Sequence, residues 1–173
     1  MANPNKRKGR YFEEKIANDY RTLFKLDKID CYRSGSSGAR TTVEYNGDIT
    51  FSNPERYNLI TECKFYKDLR LEHIFPICNS YIDTWLEQSK SQYVRYLRYF
   101  NKEPLSLIIA GKPFNKNNHF VIWTNDSYLD NHKLLDKLKV KEYAFFTSSM
   151  HNRQYLVFSY SNITAIFNLY KLL

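Results

Sequence analysis

Residues 47–64 read GDITFSNPERYNLITECK, and two β-forming runs stand out in them. Gly47-Asp48-Ile49-Thr50-Phe51 and Tyr57-Asn58-Leu59-Ile60-Thr61-Glu62-Cys63-Lys64 are rich in β-branched and aromatic residues, and Ser52-Asn53-Pro54-Glu55 between them is turn-forming. The expectation is a β-hairpin. With antiparallel pairing about Pro54 and Glu55, partner numbers sum to about 109 or 110, so Asp48 lies opposite Thr61 or Glu62. Strand alternation puts Ile60, Glu62 and Lys64 on one face and Leu59, Thr61 and Cys63 on the other.

That geometry brings together the groups that phosphodiester hydrolysis needs. Charge on the phosphate must be neutralised, a water activated and the leaving oxygen helped, which oxygen-ligated magnesium can do, with manganese as a possible substitute. Asp48 and Glu62 supply two carboxylates to one cation, and the backbone carbonyl of Cys63 can add a third oxygen. Lys64 returns to the Glu62 face, where its ammonium can orient the attacking water or stabilise developing negative charge. On a solvated sheet face the same residues would form only a cross-strand ion pair of Asp48 or Glu62 with Lys64. The surrounding sequence decides between the two.

Upstream, Phe12, Ile16, Tyr20, Leu23 and Phe24 recur at helical spacing, predicting an amphipathic helix over 11–24. Glu13 falls at the edge of its buried face, so its carboxylate must be paired or face a site; it is a further candidate ligand, direct or through water. Before the helix, Lys6, Arg7, Lys8 and Arg10 come with no acid among them, and Pro4 and Gly9 argue for a non-helical basic arm. Arg33-Ser34-Gly35-Ser36-Ser37-Gly38-Ala39-Arg40 reads as a flexible loop whose arginines suit phosphate.

Downstream, Ile82, Trp85, Leu86, Ser89, Tyr93, Tyr96, Leu97 and Phe100 form one helical stripe able to cover a sheet face, with Lys90, Arg95, Arg98 and Lys102 projecting elsewhere. LSLIIA (105–110) and HFVIW (119–123) read as strands. Beyond Asp126 the pattern weakens: Leu134, Leu135 and Leu138 suggest a short helix, 143–146 and 155–160 suggest strands, and 163–173 is ambiguous.

At 173 residues the expectation is one domain over 1–173, with a core at about 5–125 and a C-terminal extension at 126–173. An apolar share of 43% supports a packed core, and 15 Tyr and 12 Phe supply either that core or stacking surfaces for bases. The excess of 26 Lys and Arg over 18 Asp and Glu, +8, favours a polyanionic partner. No apolar run is long enough for a membrane span, and the N-terminus has no apolar signal core. Cys31, Cys63 and Cys78 have no paired spacing and read as reduced thiols, giving a cytoplasmic expectation. His73, His119, His132 and His151 lack metal-ligand spacing.

Taken in order, Asn5-Lys6-Arg7-Lys8-Gly9 with Glu13, Arg33-Ser34 with Ser37-Gly38, Gly47-Asp48-Ile49, and Glu62-Cys63-Lys64-Phe65-Tyr66-Lys67-Asp68-Leu69 resemble the archaeal Holliday junction resolvases. These are PD-(D/E)XK nucleases of restriction-endonuclease-like α/β fold, a central mixed sheet flanked by helices. Gln92, Tyr96, Phe100 and Lys112 resemble that family's later helix and strand, and the likeness spans about residues 5–125. Gly47 stands where the family has proline. The resemblance implies Asp48 and Glu62 as metal ligands, Lys64 as the catalytic lysine and Glu13 as a further acidic partner. It implies Ser37, or else Ser34, as the loop serine near the scissile phosphate, and Gln92 as a DNA-side residue. It further implies a homodimer cutting opposed strands of a four-way junction, a twofold protein on a nearly twofold substrate. Lys6, Arg7, Lys8, Arg10, Arg33 and Arg40 are the phosphate contacts it favours. Two readings stay open beside it: another endonuclease of this fold acting on duplex DNA, and a non-catalytic DNA-binding module.

Overall fold

The structure, a computed structural model, describes residues 4–34, 47–66, 80–111, 119–124, 143–148 and 153–169. Helix α1 is Pro4–Phe24, followed by β1 (Cys31–Arg33), β2 (Ile49–Phe51) and β3 (Leu59–Phe65). Helix α2 (Ser80–Phe100) leads to β4 (Leu105–Gly111), β5 (Phe120–Trp123), β6 (Tyr143–Ser148) and β7 (Arg153–Ser159). A short 3-10 turn, Tyr160–Asn162, opens α3 (Ile163–Leu169).

Strands β3, β4, β5, β7 and β6 form one mixed sheet in that spatial order. β3 and β4 are parallel and the other pairs antiparallel. α2 is the crossover that a parallel pair requires. All seven residues of β4 are buried, as the unbroken run LSLIIA predicts for a strand covered on both faces. Leu105, Leu107 and Ile109 meet α1 and α3, whereas Ile108 and Ala110 meet Ile82, Trp85 and Leu86 of α2. The aromatic surplus is largely core: Tyr20, Phe24, Phe51, Tyr57 and Phe167 pack ring on ring at 5.1–6.0 Å on the α1 side. α1 and α2 both end on left-handed residues, Lys25 and Asn101, which turn the chain out of the helix.

The structure departs from the sequence reading in three places. The hairpin does not form: β2 pairs antiparallel with β1, through Cys31↔Phe51, Tyr32↔Thr50 and Arg33↔Ile49, and β3 pairs with β4. The connection 52–58 is too long for a tight hairpin turn and closes on itself instead, Asn53 accepting bonds from the amides of Arg56 and Tyr57 at its side chain and carbonyl. It thereby carries β3 across to β4. The basic arm is helical from Pro4, because proline's fixed φ and missing N–H suit a first helical position, while Gly9 inside the helix costs only about 1 kcal/mol. The core runs beyond the expected bound at about 125: the strands read at 143–146 and 155–160 form as β6 and β7, β7 lies inside the sheet, and Ile166 and Phe167 of α3 are wholly buried. The expected helix around Leu134 lies outside the described residues, as do Ser37, Arg40 and Lys112.

Candidate active site

β3 forms one edge of the five-stranded sheet, and the candidate site is built on that edge. A strand presents the N–H and C=O of alternate residues to each side, and the even-numbered residues of β3 spend theirs on β4. Thr61 and Cys63 therefore offer theirs outward. Asp48 takes both positions: its backbone N–H donates to Thr61 O at 2.8 Å, and its Oδ2 accepts from Cys63 N at 2.8 Å. The carboxylate stands in for the carbonyl of a neighbouring strand. The carbonyl of Cys63, pointing to the same side as its N–H, shares that edge with Asp48.

This approach needs a glycine before the aspartate. Gly47 has φ +60, and a Cβ there would sit 2.4 Å from Thr61 O. Proline, with φ locked near −65°, could not adopt this conformation, which accounts for Gly in place of the proline of the PD motif. Ser34 clamps the same turn, its amide donating to Asp48 O at 2.8 Å and its hydroxyl to Gly47 O at 2.9 Å, with Thr50 Oγ1 at 2.6 Å. Expected beside the substrate, the Ser34 hydroxyl is turned inward and holds the Asp48 turn.

Glu62 and Lys64 point to the α2 face, as alternation predicts. Glu62 is 1% exposed; Lys64 Nζ donates to its Oε2 at 2.9 Å and the Gln92 amide donates to its Oε1. Lys64 Nζ also donates to Gln88 Oε1 at 2.6 Å. Gln92, expected to face DNA, faces Glu62. Its own Oε1 is buried without a hydrogen-bond partner. Gln88 was not foreseen, although the signal was present: two glutamines four residues apart border an otherwise apolar stripe.

Glu13, 19% exposed at its side chain, sits on α1 with Arg33 Nη1 3.4 Å from its Oε2. Burial raises its pKa, the Arg33 guanidinium pulls it down, and the charge of Glu62 raises it again. Among the described residues no three His, Cys, Asp or Glu side chains are gathered closely enough to hold a metal, yet the charge of Glu13 is felt at Asp48 and that of Glu62 at Glu13. Arg33 is spent on Glu13 and on Ser34 O at 3.2 Å. Arg7, Lys8 and Arg10 are exposed on the first turns of α1.

The electrostatics of the pair are unbalanced. Burial pushes the Asp48 carboxyl up to about 7, and the charges of Glu62 and Glu13 add to the shift, while the Cys63 amide and Lys64 oppose it. The Cys63 thiol is pushed well up, first by burial and then by Asp48 and Glu62, which leaves its backbone carbonyl as its usable donor. A divalent cation fits this arrangement: two carboxylates and a carbonyl are a hard-oxygen donor set, and one lysine does not offset their charge.

A mixed sheet flanked by helices, with an aspartate at the start of one strand and Glu-x-Lys on the next, defines the restriction-endonuclease-like fold and the PD-(D/E)XK class of nucleases, which generally use divalent metals. Residues 4–168 match the family described as "Phage putative PDDEXK endonuclease", and the chain belongs to that family. No curated protein and no solved structure matches the chain. No described helix is long and apolar enough to cross a membrane.

Proposed function

We propose that the chain is a metal-dependent DNA endonuclease that cuts branched DNA, resolving four-way junctions as a symmetric homodimer from a single nuclease domain over 1–173. One observation carries the chemistry. Asp48, just before β2, holds the Cys63 amide at the β3 edge, its carboxyl feels the charge of Glu62 on the neighbouring strand, and Lys64 is bonded to Glu62. Asp48, Glu62 and the Cys63 carbonyl would hold the cation, magnesium by its oxygen preference, with Glu13 acting through water or through Arg33. Once bound, the ion neutralises phosphate charge and acidifies a water. Lys64, held by Glu62 and Gln88, places an ammonium where negative charge develops. Asp48 must be ionised to serve, and its raised pKa in the metal-free chain makes a proton compete with the cation, so metal binding strengthens as pH rises through about 7.

The branched substrate is supported by the order of motifs, Lys6–Gly9 with Glu13, Arg33-Ser34, Gly47-Asp48 and Glu62-Cys63-Lys64, and by the +8 charge. Arg7, Lys8 and Arg10 on α1 make a surface for backbone phosphates, and Lys6, Ser37 and Arg40 extend the proposed contacts. The intact acidic and lysine set speaks against a non-catalytic module. The family description names an endonuclease, which accommodates a second reading: cleavage of linear duplex by the same residues.

A synthetic four-way junction and a linear duplex of the same arm sequence, each incubated with and without magnesium, separate the two. The junction is expected to be cut preferentially and only with the metal. Equal cutting of both removes the junction claim, and cutting that survives Asp48→Asn and Glu62→Gln removes the metal assignment.

A further inference from the structure

Gln88 and Gln92, which hold Lys64 and Glu62, lie at i and i+4 on one edge of α2, and Arg95 and Tyr99 continue the same edge at i+7 and i+11. At 1.5 Å per residue, Tyr99 lies about 10 Å along the helix from Gln92. Arg95 and Tyr99 are exposed, Tyr99 by 70%, although a large aromatic ring loses apolar contact there. Arg98 is exposed on the adjoining row, and Lys102, just past the helix, donates to Glu55 O at 2.9 Å, bringing the exposed Arg56 to the same end. From Lys90 to Lys102 the chain carries four cations and no acid; Glu55 and Glu103 are the acids at the far end.

A favourable helix dipole accounts for cations in the last turn, but not for Arg95 in the middle of a row that starts in the active site or for a Tyr99 ring that meets Phe100 at 4.9 Å and still stays 70% exposed. We propose that this edge is a phosphate track: the DNA strand leaving the catalytic centre lies along α2, its backbone contacted by Arg95, Tyr99 and Lys102 with Arg98 and Arg56 flanking. The inference rests on the nuclease reading and adds to it the path of one DNA arm. Phosphates are the occupant because the row offers cations and a hydroxyl in continuity with a site for phosphodiesters.

The test is Arg95→Gln/Lys102→Gln binding to a labelled four-way junction without divalent metal, titrated at several salt concentrations. Each phosphate contact removed lowers the slope of log affinity against log salt by about 1, so the double substitution is expected to lower it by about 2, with about tenfold weaker binding. The charge-keeping pair Arg95→Lys/Lys102→Arg restores both values. An unchanged slope in an enzyme that still cuts overturns the track and leaves the nuclease reading standing. Lost binding that the charge-keeping pair does not restore, or a dimer turned into monomers, also overturns it. A parent protein that binds no DNA overturns both.

Discussion

Neighbouring residues of β3 meet opposite treatment on the two faces of the sheet. Thr61 turns toward α1, where its hydroxyl shares a 2.9 Å hydrogen bond with the wholly buried Tyr20 and is surrounded by rings. Glu62 turns toward α2, equally buried, and meets the Gln92 amide and the Lys64 ammonium, which Gln88 in turn holds. Even the hydroxyl network behind it, Ser89 with Ser106 and Thr124 at 2.9 Å, is polar. The first side is dominated by apolar and aromatic packing, as a core is; the second accumulates charge that folding alone would disfavour. The contrast separates residues kept for the fold from residues kept for chemistry.

The sharpest way to break this contrast is at the carboxylates. Asp48→Asn and Glu62→Gln should each reduce metal-dependent cleavage by about 10³-fold or more, several kcal/mol of barrier, while junction affinity without metal changes little. Gly47→Ala comes next. The left-handed backbone costs an alanine about 1–2 kcal/mol before its clash with Thr61 O, so both melting temperature and cleavage should fall. Gln88→Ala frees Lys64 and should lower kcat about tenfold, with a shifted pH profile and little change in KM; an unmoved profile would deny Gln88 its positioning role. Tyr20→Phe, on the other face, should cost about 1–2 kcal/mol of stability by stranding the Thr61 hydroxyl, and leave kcat unaltered.

pH supplies another discriminator. Asp48 is raised from 3.8 to about 7 in the folded chain, so between those values the folded state binds more protons than the unfolded one. Stability of the metal-free protein therefore falls as pH rises from about 4 to 7. Chemical denaturation at pH 5 and pH 8 should show the loss, Asp48→Asn should flatten it, and magnesium should stabilise chiefly at the higher pH.

What could be read from the chain were the properties that depend on period alone. The stripe from Ile82 to Phe100 gave α2, LSLIIA gave β4, and alternation placed Glu62 and Lys64 on one face. Hairpin pairing puts Asp48 opposite Thr61 or Glu62, and the structure brings it to Thr61 by a different route. The Asp48 amide bonds Thr61 O within a single parallel bridge of Gly47 with Thr61, because β2 takes as its partner a three-residue strand, Cys31-Tyr32-Arg33, too short to leave a pattern. The place of β7 between β5 and β6 is likewise a matter of long-range pairing that no local period records. The inward turns of Ser34 and Gln92 were illegible for a related reason: polar residues near a site serve substrate or scaffold with the same side chains.

The carboxylate of Asp48 occupies the hydrogen-bonding positions that another polypeptide would seek on β3. A bare strand margin is a template for association between copies, and here a residue of the chemistry covers it. Truncating that side chain, as in Asp48→Ala, should therefore yield a protein more prone to self-associate than Asp48→Asn, whose amide oxygen can still accept from Cys63.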